Sequence, residues 1–183
     1  MALLPVEEQL QRAGLELLGF CTDLSSHAPK WRHEAAMLED LTPAETDTLG
    51  ALMPLVRAQP GQPLIREGDV GDWMLLILSG TVDVTKQSDH AHGDPGSGDI
   101  SRLAVIKYGA AIGEMSMLDA APRYASCTAI DQVEAGVLTR AVVAKLIHEH
   151  PAIGAKLLVK LTQLRAQRLR NTSNQLVKLL QKQ

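Results

Sequence analysis

Aromatic side chains are nearly missing from this chain, at 3% of its residues. Its core must therefore be built from Leu, Val, Ile, Ala and Met, and it lacks the stacking platforms that single-stranded nucleic-acid binders use. Cysteine is scarce too. Cys21 and Cys127 lie far apart and form no CxxC pair, which argues against a disulfide framework and points to a reducing, cytoplasmic setting. No apolar run approaches the roughly 20 residues that span a bilayer. The opening MALLPVEEQLQRAGLELLGF is broken by Glu7, Glu8 and Arg12 before a signal-type run develops, so no membrane partner is expected. Acidic residues are missing after Glu149, where Lys156, Lys160, Arg165, Arg168, Arg170, Lys178 and Lys182 follow. Residues 1–50 are the opposite, with Glu7, Glu8, Glu16, Asp23, Glu34, Glu39, Asp40, Glu45 and Asp47 against Arg12, Lys30 and Arg32. The asymmetry predicts two ends that attract each other, within one chain or across a dimer, ahead of a nucleic-acid surface.

What is present fits one domain with additions: 183 residues, 45% hydrophobic and 21% charged. The spacing predicts an amphipathic helix from Val6 to Phe20, a turn-like link CTDLSSHAPK, and a second helix from Trp31 to Leu41. Thr42, Pro43 and Glu45 read as a capping box opening a helix that runs to about Val56. From Gln59 the texture changes to short apolar runs punctuated by Gly61, Gly68, Gly71 and Gly80, the pattern of strands joined by tight turns. QSDHAHGDPGSGDISR reads as an exposed loop, and RLAVIKYGAAIGE and SCTAIDQVEAGVLTR supply further strands. Helical periodicity returns at Ala141. The organisation expected is an N-terminal helical extension (1–37), a strand-rich unit (38–140) and C-terminal helices (141–183): mainly β with flanking helices, a sandwich, jelly roll or barrel.

The segment that carries chemistry is GEMSMLDAAPRYASCTA, Gly113 to Ala129. Met115 to Asp119 are expected to form a helical turn whose free N–H groups point back toward Gly113, an arrangement that favours an anion. Arg123 adds a planar cation suited to phosphate. Glu114, an acceptor only, suits sugar hydroxyls. Together they suit a ribose phosphate. This stretch resembles the phosphate-binding cassette of cyclic-nucleotide-binding domains, such as those of the catabolite-activator and cyclic-AMP-dependent kinase regulatory-subunit superfamily. The resemblance extends in order through PGQPLIREGDVGDWMLLILSGTVDV, YGAAIGEMSMLD, PRYASCTA and a helix ending in RLR, covering about residues 38–170. It implies an eight-stranded jelly-roll barrel holding one cyclic nucleotide, flanked by helices that move on binding. It also implies that Arg123 pairs with the cyclic phosphate and Glu114 binds the ribose 2′-hydroxyl. Backbone near Gly113, Met115 and Ala125 completes the cradle; Ser116 lies within the cassette, and the Ser126 side chain touches ligand or base.

Departures bear on the ligand. Tyr124 stands where Ala, Ser or Thr is usual; a phenol there either packs over the base or narrows the pocket. The absence of Thr leans to cyclic AMP and leaves cyclic GMP open. Tyr108 sits where Pro is common. No cofactor is expected, and an enzyme is not: there is no Gly-x-Ser-x-Gly elbow, no Gly-Lys-Ser/Thr phosphate loop and no HExxH, so His90, His92, His148 and His150 read as surface residues rather than metal ligands. The C-terminal helix shows Leu158, Leu161, Leu169, Leu176 and Leu179 on one side, interrupted by Arg165 and Arg168, a stripe for a two-fold mate or a lid over the barrel. Asn171 to Asn174 are expected to break that helix. About a dozen residues follow Arg170, too few for a helix-turn-helix module, so specific DNA binding is not expected. The leading expectation is a cyclic-nucleotide switch acting on an unknown protein effector. The alternatives are an adaptor whose pocket Tyr124 has filled, and a sensor of a cyclic dinucleotide.

Overall fold

A computed structural model describes residues 5–26, 37–87 and 99–181. In chain order they form α1 (Val6–Arg12), β1 (Glu16–Phe20), α2 (Pro43–Gly50), β2 (Pro54–Ala58), β3 (Pro63–Ile65), β4 (Trp73–Ser79), β5 (Thr81–Gln87) and β6 (Ile100–Lys107). Then come β7 (Ala111–Ile112), α3 (Glu114–Asp119), β8 (Ser126–Ala129), β9 (Val133–Thr139), α4 (Arg140–Glu149) and α5 (Pro151–Leu180). The strands make two antiparallel sheets, β1-β2-β9-β4-β7 and β3-β8-β5-β6, the jelly-roll arrangement with flanking helices. Strand β4 shows how the layers are tied. Trp73, Leu75 and Ile77 point between the sheets, where they meet Ile65, Val82, Cys127 and Val137. Met74, Leu76 and Leu78 point outward and are covered by Val143, Leu146, Ile153, Leu157 and Leu161 of α4 and α5. A strand buried on both faces reads as an unbroken apolar run, WMLLIL, ended by the exposed Ser79.

Several expectations are corrected. The helix over 6–20 stops at Arg12, because Gly14 takes a positive φ of 78° and residues 16–20 pair with β2 as a strand. The Thr42–Glu45 capping box forms as expected, but its helix ends at Gly50 and Pro54 opens a strand instead of lying within a helix reaching Val56. Of the helix expected over 31–41, residues 31–36 lie outside the described ones, and 37–40 form a turn. The expected exposed loop yields Ile100–Arg102 to β6, and its residues 88–98 lie outside the description. Asn171–Asn174 do not break α5, which runs 30 residues without interruption; Thr172 satisfies its hydroxyl on the Arg168 carbonyl at 3.0 Å. The acidic and basic ends do meet within the chain. Lys156 bonds Glu45 at 2.7 Å and Lys160 lies 3.0 Å from both Glu39 and Asp40. No described helix is long and apolar enough to cross a membrane.

Candidate functional site

Gly113 ends β7 and turns the chain into α3 with φ 78°, a conformation glycine adopts without strain. An added Cβ there would lie 2.7 Å from Arg123 Nη1. The chain returns from α3 through Ala120 to Arg123 and β8, so Glu114 and Arg123 come back to the same cradle from opposite ends of one short excursion. Both are buried, Glu114 to 1% and Arg123 to 4% exposure. Arg123 donates through Nη1 to the Gly113 carbonyl at 2.8 Å, and its guanidinium carbon sits 4.3 Å from the Trp73 ring centroid, a cation–π contact. Its other terminal nitrogen, Nη2, has no hydrogen-bond partner, and neither does Glu114 Oε2. Burial pulls the Arg123 pKa down to about 10, opposed by Cys127 and by the carboxylates of Asp69, Asp72 and Glu114; the group remains a cation at neutral pH. Unpaired buried polar atoms cost about 1–3 kcal/mol each, and more when charged. Two of opposite sign in one cradle fit a ligand offering both a hydroxyl and an anionic oxygen.

The remaining expected residues divide. Ser116 is buried in α3, and its carbonyl accepts from Arg140 Nη2 at 3.3 Å. Met115 is partly exposed, Ala125 half-buried. Ser126 is turned toward the β3–β4 connection, where its Oγ accepts from the Glu67 N–H at 3.0 Å. Tyr124 does not fill the cradle. It is 57% exposed, with Lys86 Nζ 4.5 Å from its ring centroid and 3.0 Å from its carbonyl oxygen. Lys86 is itself fixed by Glu67 at 2.6 Å, so the phenol is tied to the end of β5 and the residues that follow β3.

Residues beyond the expected set complete the site. Trp73 is aligned from outside, its indole N–H donating to Gln9 Oε1 at 2.9 Å, while Gln9 Nε2 reaches Asp72 at 3.4 Å. Gly71 makes room for the arginine, since a Cβ there would stand 2.7 Å from Arg123 Nη2. The C-terminal helices hold the other side. Arg168 pairs with Glu114 Oε1 and also donates to the Ala111 carbonyl at 2.6 Å, Arg165 meets Asp119 at 3.2 Å, and Arg140 donates to the Met117 carbonyl at 2.7 Å. The signal for Arg165 and Arg168 lay in the sequence as two cations interrupting an apolar stripe. Of the five leucines in that stripe only Leu161 is buried; the packed face of α5 is Ile153, Gly154, Leu157 and Leu161.

Comparison with known proteins agrees with this geometry. Residues 55–150, more than half of the chain, match the family model described as cyclic nucleotide-binding domain. A solved cyclic nucleotide-binding domain from Methylobacillus flagellatus is 33% identical with a TM-score of 0.75, covering 90% of this chain and 88% of that one. The CRP-like cAMP-activated global transcriptional regulator of Mycobacterium tuberculosis is 28% identical over 146 residues, 80% of this chain and 60% of the relative. The cAMP-dependent protein kinase regulatory subunit of Yarrowia lipolytica is 30% identical over 105 residues, 57% of this chain and 25% of the relative. The chain thus spans less than two thirds of the length of these curated relatives. With its paired glycine and glutamate, its buried arginine and its two-sheet frame, the chain belongs to the cyclic nucleotide-binding domain family.

Proposed function

We propose that the chain is a cyclic AMP sensor in which nucleotide bound at Glu114 and Arg123 alters the hold of α5 on the cassette and so controls a protein partner, with no catalytic step. The observation that carries the reading is the pair of buried, partnerless atoms, Arg123 Nη2 and Glu114 Oε2. A cyclic phosphate oxygen satisfies the first and a ribose hydroxyl the second. Because Glu114 also pairs with Arg168, the ligand and α5 share one carboxylate, and a ligand that favours one helix position shifts the population toward it. Cyclic AMP is preferred over cyclic GMP on the strength of relatives named for cAMP. The adaptor alternative drew on Tyr124 filling the pocket, and the exposed ring gives it no support. Leu169, Leu176 and Leu179 are exposed along α5, a face for the effector or for a second copy.

Calorimetric titration with cyclic AMP and cyclic GMP, beside Arg123→Ala, tests the reading. Saturable one-to-one binding is expected. Truncating one side of a buried charge pair costs about 2–5 kcal/mol, so the variant should lose roughly one and a half to three and a half decades of affinity. Sedimentation with and without nucleotide reports whether α5 joins two copies. A folded wild-type chain that gives no heat with either nucleotide overturns the sensor.

A further inference from the structure

Among the described residues no carboxylate forms an ion pair with the buried Arg123. What lies against it is the Trp73 ring, itself 5% exposed. A chain with only 3% aromatic residues places one of its two tryptophans here. A ring face attracts a guanidinium group through its quadrupole, whereas a carboxylate would take the fork with two parallel hydrogen bonds. The ring therefore seats the cation and leaves Nη2 open. This attraction holds only while the cation stays over the face, so the ring's orientation matters. The outer torsion of a tryptophan is broad, and apolar packing alone fixes it poorly. Its polar edge is tied instead: the indole N–H donates to Gln9 Oε1 at 2.9 Å, and Gln9 Nε2 donates to Asp72 at 3.4 Å. The tied edge faces the open nitrogen. A Cβ on Gly71 would meet Trp73 Nε1 at 3.2 Å and Arg123 Nη2 at 2.7 Å, so both nitrogens border the same gap. Gln9 reaches Trp73 from α1, which other residues anchor. Leu10 is buried in the same core cluster as Trp73, and Gln62 donates to the Gly14 carbonyl just past the helix.

We propose that Gln9 is a positioning residue for nucleotide binding: through its hydrogen bond to the indole N–H it sets the Trp73 ring against Arg123 and so aims Nη2 at the cyclic phosphate. The inference rests on the nucleotide reading for the phosphate, and on the geometry alone for the hold of Gln9 on the arginine. It gives α1, which lies about a hundred residues before the cassette in sequence and supplies none of its residues, a share in affinity. Because Leu10 carries the packing of α1, Gln9→Ala should fold with its thermal midpoint within a few degrees of wild type.

Two readouts test it on the full chain. The first is calorimetric titration with cyclic AMP. Gln9→Ala should weaken binding about fivefold, the scale of one neutral hydrogen bond. Trp73→Phe keeps a ring face but has no N–H for Gln9 to hold, so adding Gln9→Ala to it should weaken binding by less than about twofold more. The second readout needs no ligand. The ring current of Trp73 shifts the side-chain proton resonances of Arg123, which are identified by their loss in Arg123→Ala. In nucleotide-free Gln9→Ala these resonances should move toward the positions of an unshielded arginine. Wild-type affinity in Gln9→Ala, or a fivefold loss repeated in full on Trp73→Phe, overturns the proposal. Unmoved Arg123 resonances in Gln9→Ala overturn it whatever the affinity does, and this holds even where Trp73→Phe fails to fold. A folded wild-type chain that binds no cyclic AMP overturns the nucleotide reading, and moved resonances then leave the hold of Gln9 on Arg123 standing.

Discussion

The arginine at the centre of the site is held by what its neighbours lack. Gly71 and Gly113 flank the guanidinium so closely that a methyl group on either would stand 2.7 Å from one of its terminal nitrogens. Gly113 also needs its positive φ, whereas Gly71 does not, so Gly71→Ala isolates the steric effect. That variant should keep its thermal midpoint within a few degrees of wild type yet lose about tenfold in cyclic AMP affinity, the scale of one hydrogen bond to a charged group. Calorimetry beside a melting curve separates the two; unchanged affinity would mean that Arg123 is not positioned by this gap. The importance of Gly71 was not legible in the sequence, where it stands as one of several turn glycines. Arg123 and Glu114 were legible, because their order and spacing in GEMSMLDAAPR are set by a single local turn. The exposed setting of Tyr124 was not, since it depends on Lys86, 38 residues away.

Among the elements, α5 is the one that joins the site to the rest of the chain. Its Arg168 and Arg165 grip the two ends of α3, at Glu114 and Asp119, and Arg140 at the start of α4 takes carbonyls from the end of α3, where a cation complements the helix dipole. Nucleotide should therefore change hydrogen exchange along α5. In Arg168→Ala the change should shrink to about a third or less while binding that depends on Arg123 remains measurable, because the shared carboxylate no longer connects the two. An undiminished response would place the connection elsewhere, with Arg140 as the next variant to make. The strands were legible from period-two runs and glycines, and α2 from its capping box. Strand β1 was not: Glu16–Phe20 follows an amphipathic helical segment closely enough to continue its pattern, and only pairing with β2 makes it extended. The unbroken α5 was missed for a related reason, as local preferences of Asn and Ser yielded to the propagation of an already formed helix.

Across the whole molecule, the opposed charges of the two ends act as a clasp that has already closed. Glu45 caps α2 and also receives Lys156 from α5, and these bonds hold its carboxyl below the ordinary 4.5. Glu67, paired with Lys86, is lowered in the same direction. A carboxylate whose folded value is depressed contributes stability above its unfolded value and loses it as pH falls through the folded one. The melting temperature should therefore drop as pH is taken from about 5 toward 3, and Glu45→Gln with Glu67→Gln should flatten that slope. A slope as steep in the double variant would assign acid sensitivity to other groups. The 30-residue length of α5 has a mechanical meaning as well. From Arg168 to Leu180 the helix extends ~18 Å past its grip on the cassette, so a tilt of about 10° carries its tip ~3 Å. Under the proposed function it would serve as a lever with its fulcrum at the Arg168–Glu114 pair, its gain turning an adjustment too small to repack the domain into a displacement large enough for a partner to register.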